Sequence, residues 1–251
     1  MRSPLGTDAL EERLRHARDS ASRSQGPQRV ASALSGLDVL LELRQRGQRT
    51  RGAAIDFALA TVAIDELRRS DQVEEAMQLT LSVRELAHES GDILALQLLD
   101  ILAGELLCDC LEFVALERYW ERTLGAPLTA QNGESALHRA MGVMSADANC
   151  RNRGVRSLAR SFAVLGMFED AQVVYEQLLQ LQDGWDLLDA STVQLELLEL
   201  HADAGHIEHG EALIATMDTS SPMVSLAVGG LKLRAGHLSE ARVALRTALE
   251  S

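Results

Sequence analysis

The sequence repeats one short pattern three times, as Gly166-Met167-Phe168-Glu169-Asp170-Ala171, Gly205-His206-Ile207-Glu208-His209-Gly210 and Gly236-His237-Leu238-Ser239-Glu240-Ala241. Each copy has a glycine, a polar or flexible residue, an apolar residue, two mostly polar residues and a small residue. The glycines are 39 and then 31 residues apart, and an amphipathic stretch lies on both sides of each one. Recurrence every ~20 to 50 residues is typical of stacked helical hairpins. The pattern therefore predicts a helical-repeat scaffold.

The composition favours helices throughout the chain. Apolar residues make up 46% and aromatic residues 3%, so the apolar content is mostly Leu, Ala and Val. Proline inside a helix costs roughly 3 kcal/mol, and all four prolines lie at plausible segment edges. They are Pro4, Pro27, Pro127 and Pro222. No sustained alternation of apolar and polar residues indicates strands, so we expect an all-α fold.

The clearest repeat unit runs from about Asn152 to Asp183. Its first helix carries one apolar stripe, and its second helix carries another. The first stripe is Val155, Leu158, Phe162 and Leu165, and the second is Phe168, Ala171, Val174, Tyr175, Leu178 and Leu181. Gly166, between them, has the freedom that a tight helix C-terminus requires.

These residues resemble the tetratricopeptide repeat family. The similarity is carried by Leu158, Ala159, Phe162, Gly166, Ala171 and Tyr175, and in the last unit by Val228, Gly229, Gly236, Ala241, Leu245 and Ala248. The sequence departs from the family pattern at Val155, where tryptophan is common, and at Asp183, where proline often ends the repeat. The resemblance implies a right-handed α-solenoid of stacked antiparallel helical hairpins. It also implies a concave groove, lined by the first helix of each hairpin, that binds a protein or peptide segment.

We predict three regions along the chain. Residues 1–124 form degenerate hairpins, with turns near Asp71-Gln72-Val73 and Cys108-Asp109-Cys110-Leu111. Residues 125–151 form a turn-rich loop and an extra helix from Glu134 to about Met144. Residues 152–251 hold the recognisable repeats, at about 152–185, 186–220 and 221–251. The middle repeat is the weaker one, because Gly210 replaces the usual small alanine.

Charge is distributed unevenly along the chain. The net charge is −13, but residues 1–51 carry ten arginines against six acids, a net of +4, which leaves −17 on the remainder. An acidic body repels nucleic acid and anionic membranes, so we expect neither as a partner. Arg44, Arg46, Arg49 and Arg51 indicate either a contact with a phosphate or an acidic protein, or a solvated loop.

The cysteines and the N-terminus favour a cytoplasmic protein. The three cysteines are an odd number, and the first residues contain no apolar signal segment. No apolar run approaches the ~18 residues that span a bilayer.

A basic stripe is predicted on the first helix of the clearest repeat. Arg153, Arg156 and Arg160 lie at i, i+3 and i+7, nearly opposite the apolar stripe at about 100° per residue. The family resemblance implies that this stripe faces the groove, where arginine suits the carboxylates of an acidic segment. The alternative is pairing within the chain, with acids such as Glu199 or Asp203.

Candidate metal and catalytic residues do not form a recognised motif. His201, Asp203, His206 and His209 have a metal-like composition, but His237 recurs at the turn position of His206, which favours a polar turn residue. Cys108 and Cys110 would diverge by about 200° on a helix. The phosphate-binding loop, nucleophile elbow, HExxH zinc motif and dinucleotide fingerprint are absent from the sequence. We expect no metal, no cofactor and no catalytic activity.

The predicted function is therefore a non-catalytic interaction scaffold or adaptor. The alternative is a regulatory sensor module of a bacterial signalling or transcription system, responsive to a peptide or a small molecule. The last repeat ends without an obvious polar cap, which predicts that another domain or another chain covers Leu238, Leu245 and Leu249. A second copy of this chain is one such partner, which would make the protein a homo-oligomer.

Overall fold

The computed structural model describes residues 6–24, 26–45, 53–144, 147–181, 190–218 and 221–250. These residues form thirteen α-helices and one short 3₁₀ turn, and none of them lies in a strand. Consecutive helices pack against each other across short turns in most of the chain. The predicted all-α fold of helical hairpins is confirmed.

The first of two compact units contains residues 1–110. Its helices are α1 (Thr7–Arg23), α2 (Gly26–Gln45), α3 (Ala53–Arg69), α4 (Val73–Ser90) and α5 (Ile93–Asp109). Leucine and alanine side chains from all five helices form one apolar core. Arg68 on α3 donates hydrogen bonds to Glu105 at 2.5 Å and to Asp109 at 2.8 Å, both on α5. Because the Glu105 side chain is fully buried, this charge-assisted pair ties α3 to α5.

The second unit contains residues 111–251. Its helices are α6 (Phe113–Leu124), α7 (Gly133–Val143), α8 (Ala148–Val164), α9 (Phe168–Leu179), α10 (Ala190–Ala204), α11 (Ile207–Ile214), α12 (Pro222–Arg234) and α13 (Leu238–Glu250), with the 3₁₀ turn at Leu128–Ala130. Within this unit α8 packs against α9, α10 against α11, and α12 against α13. The first helices α10 and α12 also pack against each other.

The three glycine turns have the same geometry. Gly166, Gly205 and Gly236 have φ angles of 77°, 75° and 76°, in the left-handed region that glycine adopts without a steric penalty. In each turn the N–H of the following residue donates to the carbonyl five residues earlier, at 2.8 to 2.9 Å. This is the hydrogen bond of a Schellman helix C-terminus. The repeated pattern therefore encodes one repeated turn.

Two turns in the degenerate region form without glycine. Asp71 has φ 59°, and the N–H of Gln72 donates to the Leu67 carbonyl at 2.9 Å, as in the glycine turns. Leu111 has φ 55° in the turn that precedes α6. Aspartate tolerates this conformation better than leucine does, so the second turn is the more strained.

The predicted extra helix is present as α7. Its N-terminus is fixed against α9, because the Gly133 N–H donates to Asp170 Oδ1 at 2.7 Å. A Cβ on Gly133 would lie 2.5 Å from the Asp170 carbonyl oxygen, so only glycine fits this contact. A similar close approach explains Gly210, where a Cβ would lie 2.8 Å from Leu231 Cδ2 on α12.

Three predictions about organisation stay predictions. They are the regional boundaries at 124/125 and 151/152, the limits of the three repeats, and the right-handed course of the solenoid. The side chains of Arg44, Arg46, Arg49 and Arg51 lie outside the described residues, as does Asp183.

Candidate binding face on α8, α10 and α12

The apolar stripe of α8 is buried as predicted. Val155, Leu158 and Phe162 have no exposed surface. Trp120 on α6 is also fully buried, and its Nε1 donates to Ser161 Oγ at 2.7 Å. Each residue of α8 is buried or partly buried, so neighbouring parts of the chain cover some of every side of this helix. Arg153 is accordingly buried, with 9% of its surface exposed.

Arg156 binds a carboxylate that the sequence analysis did not select. Its Nε donates to Glu196 Oε2 at 2.9 Å and its Nη2 to Glu196 Oε1 at 2.5 Å. Arg160 Nε lies 3.7 Å from Glu196 Oε1, and the Tyr175 hydroxyl donates to Oε2 at 3.3 Å. Glu196 on α10 therefore joins side chains from α8 and α9. Such bidentate pairing is among the stronger hydrogen-bonded arrangements in proteins.

The two acids proposed from the sequence lie farther along α10. Glu199 and Asp203 are both exposed, and with Glu196 they form an acidic stripe at i, i+3 and i+7. Burial raises the pKa of Glu199, and the negative charges of Glu196 and Asp203 raise it further, while Arg160 and Arg234 oppose them. Asp203 forms an ion pair with Arg234 on α12.

These contacts define one surface, which we call the first-helix face. It consists of Arg156 and Arg160 on α8, Glu196, Glu199 and Asp203 on α10, and Arg234 on α12. Ion pairs link each of these helices to the next. Intramolecular pairing, the alternative to ligand binding, is thus present, but its main partner is Glu196. The repeat spacing points to this part of α10. The residue 39 positions after Arg156 is Leu195, and Glu196 follows it directly.

Three histidines meet at the α10–α11 turn. The ring centroids of His201, His206 and His209 are 5.6 to 6.2 Å apart, whereas Asp203 pairs with Arg234 instead. His201 is 4% exposed, and burial together with the charges of its two neighbours lowers its pKa. Within the described ranges, no group of three or more His, Cys, Asp or Glu side chains is placed to hold a metal ion.

None of the three cysteines forms a disulfide in the structure. Cys108 and Cys150 are buried, and Cys110 is exposed. Burial raises the pKa of Cys150 to about 11, with a further contribution from the charge of Asp147, while Arg153 opposes the shift. This thiol is therefore protonated at neutral pH and is a weak nucleophile.

A second surface lies at the last hairpin, which we call the α12–α13 end face. It is an open groove of about 510 Å³ lined by Leu233, Leu238, Arg242, Leu245, Arg246, Leu249 and Glu250. Leu238 is 69% exposed and Leu249 88% exposed. Leu245 is half-buried, because it fills the space that a Cβ on Gly229 would occupy.

Comparison with known proteins gives matches among solved structures. Neither the comparison with protein-family models nor that with curated proteins gives a match. The fold is similar to the crystal structure of a tetratricopeptide repeat protein from Parabacteroides merdae. The similarity covers 97% of this chain and 93% of that chain, with 13% sequence identity and a TM-score of 0.43. The helix packing and the turns of this chain show the stacked hairpins directly. No helix in its described part is long and apolar enough to cross a membrane.

Proposed function

We propose that this protein is a non-catalytic scaffold that binds a protein or peptide segment on the first-helix face. The observation that carries the proposal is the continuity of that face across α8, α10 and α12. The charged groups along it are the exposed side chains of Glu199, Asp203 and Arg234 and the partly buried side chains of Arg156, Arg160 and Glu196. Apolar surface lies beside them on α12, where Met223 is 60% exposed and Leu226 52% exposed.

The finer part of the proposal is an acidic segment in the partner. Its carboxylates would take the place of Glu196 on Arg156 and Arg160, which are 17% and 22% exposed. Because both arginines already face Glu196, binding is an exchange of one carboxylate for another. Removing the Glu196 charge should therefore strengthen the binding of an acidic partner.

The test is affinity capture from native lysate with paired variants. Arg156→Gln/Arg160→Gln should lose the partner, and Glu196→Gln should retain more of it than wild type. Both variants weaken the same ion-pair network, so a loss caused by unfolding would affect both in the same direction. Arg153 is left unchanged because it is buried.

Each outcome of the capture has a distinct meaning. If both variants capture the partner as wild type does, the site lies elsewhere on the chain. If wild type captures no partner, and small molecules raise its melting temperature, the sensor function replaces the scaffold function. We also propose a reducing cytosol as its location, which agrees with three cysteines that form no disulfide.

A further inference from the structure

The α12–α13 end face corresponds to a surface that is covered in the preceding hairpin. Aligning Gly205 with Gly236 shifts every position by 31 residues. The shift places Leu195, Ala202, Ile207 and Ile214 on Leu226, Leu233, Leu238 and Leu245. The first four belong to the apolar cluster that α12 completes with Val224 and Leu231.

Three of these four positions are more exposed in the last hairpin than in the preceding one, whereas Ile214 and Leu245 are both partly buried. Ala202 is 4% exposed, whereas its equivalent Leu233 is 48% exposed. Ile207 is partly buried, whereas its equivalent Leu238 is 69% exposed. The last hairpin thus presents the apolar positions that, one repeat earlier, receive the first helix of the next hairpin. This equivalence indicates that the occupant of the end face is an amphipathic helix.

The charges at the edge of this surface are reversed between the two hairpins. In the covered interface, Glu211 on α11 accepts a hydrogen bond from Lys232 Nζ of α12 at 2.7 Å, and Asp203 pairs with Arg234. The position equivalent to Glu211 is Arg242, and the position equivalent to Asp203 is Arg234. Arg246 adds another positive charge to the groove, and Glu250 one negative charge. A helix that docks here therefore requires acids where α12 has bases.

We infer that the α12–α13 end face binds an amphipathic helix of another protein, which presents an apolar stripe to the leucines and carboxylates to Arg242 and Arg246. The charge pattern disfavours a second copy in a two-fold arrangement, because each copy would bring the same arginines to the contact. Arg242, Arg246 and the leucines of the groove are not part of the first-helix face, so this inference does not depend on the proposed peptide binding.

The probe is a pair of synthetic peptides derived from α12, the 13-residue segment Pro222–Arg234. One peptide keeps Lys232 and Arg234, and the other carries Lys232→Glu and Arg234→Glu. Short helices are marginal in water, so both carry the same staple between positions 226 and 230. Leu226 is largely exposed on α12, so the staple should not enter the contact.

The measurement is the change in backbone amide chemical shifts of the labelled full chain on titration. The Glu peptide should shift the signals of α13 and bind roughly tenfold more tightly than the Lys/Arg peptide. Arg242→Glu/Arg246→Glu should reverse this preference. Leu238→Glu/Leu249→Glu should abolish binding, whereas Val243→Glu should not, because Val243 is 67% exposed but does not line the groove. Circular dichroism should show that the variants keep their helix content.

Any one of three results would overturn the inference. The first is equal affinity for the two peptides, and the second is no change in the α13 amide signals with either peptide at up to about 1 mM. The third is an unchanged peptide preference in Arg242→Glu/Arg246→Glu. Sedimentation of the wild-type chain tests the alternative occupant, which is a second copy of this chain. An oligomer that Leu238→Glu/Leu249→Glu dissociates would identify a second copy of this chain in place of another protein. Normal partner capture by these end-face variants would show that the first-helix face works independently.

Discussion

The α10–α11 and α12–α13 hairpins share one turn, yet they differ in what covers them. The Gly205 and Gly236 turns have φ angles within a degree of each other, 75° and 76°. Beyond the turn, α12 covers the first hairpin, and its Leu231 is fully buried in the shared apolar cluster. No described helix buries Leu238, which lies in the α12–α13 hairpin. The turn is therefore a local property, whereas burial depends on the next element in the stack.

The largest effect should come from removing a leucine at the covered interface. Leu231→Ala removes a fully buried side chain and leaves a cavity, so we expect a loss of about 2 to 5 kcal/mol in the free energy of unfolding. Leu233→Ala is the matched control on the same helix, because Leu233 is 48% exposed. It should cost less than about 1 kcal/mol. Urea denaturation measures both, and equal losses would contradict the difference between the two surfaces.

A smaller effect is expected from the carboxylate between α8 and α10. Glu196→Gln leaves Arg156 and Arg160 partly buried without their main negative charge, which should cost about 2 kcal/mol. Glu199→Gln is the control one turn later, on the exposed part of the same stripe. Burial and neighbouring negative charges raise the pKa of Glu199, so removing its charge should leave stability unchanged or slightly raised. A larger loss from Glu199→Gln than from Glu196→Gln would reverse our assignment of the ion-pair centre.

The smallest effect should appear as a pH dependence at the α10–α11 turn. Burial and two nearby imidazoles lower the pKa of His201 below the value of 6.5 that it has in the unfolded chain. The unfolded state therefore binds the proton more readily, and stability falls as the pH drops below 6.5 towards the lowered pKa. Thermal unfolding between neutral and mildly acidic pH measures this loss. His201→Gln should flatten the profile relative to wild type.

The sequence predicted the elements better than the contacts between them. The stripe of Val155, Leu158 and Phe162 is buried as its helical spacing indicates. The spacing of Arg153 also places it away from this stripe, yet Arg153 is buried, whereas Arg156 and Arg160 on the same stripe are partly exposed. Helical periodicity describes one helix alone, so it does not show which polar positions the neighbouring helices cover.

In the candidate site, too, the helices were predicted better than the contacts between them. Sequence reasoning selected Arg156 and Arg160 and considered pairing with acids of the next repeat. It chose Glu199 and Asp203, whereas the structure places Glu196 against both arginines. One helical position is a rotation of about 100°, so choosing the partner requires the rotation of α10 relative to α8. That rotation depends on the packing of both helices.

The sequence by itself determined the helices and the turns between them, because these depend on local spacing and on the left-handed conformation of Gly166, Gly205 and Gly236. The tertiary structure decided which charges meet, which histidines cluster and which leucines stay exposed. Arg156 and Glu196 are separated by 40 residues, and Arg234 lies on a different helix from Asp203. Contacts at such distances depend on how whole helices pack, because no local pattern of the chain specifies the distance between two side chains on different hairpins.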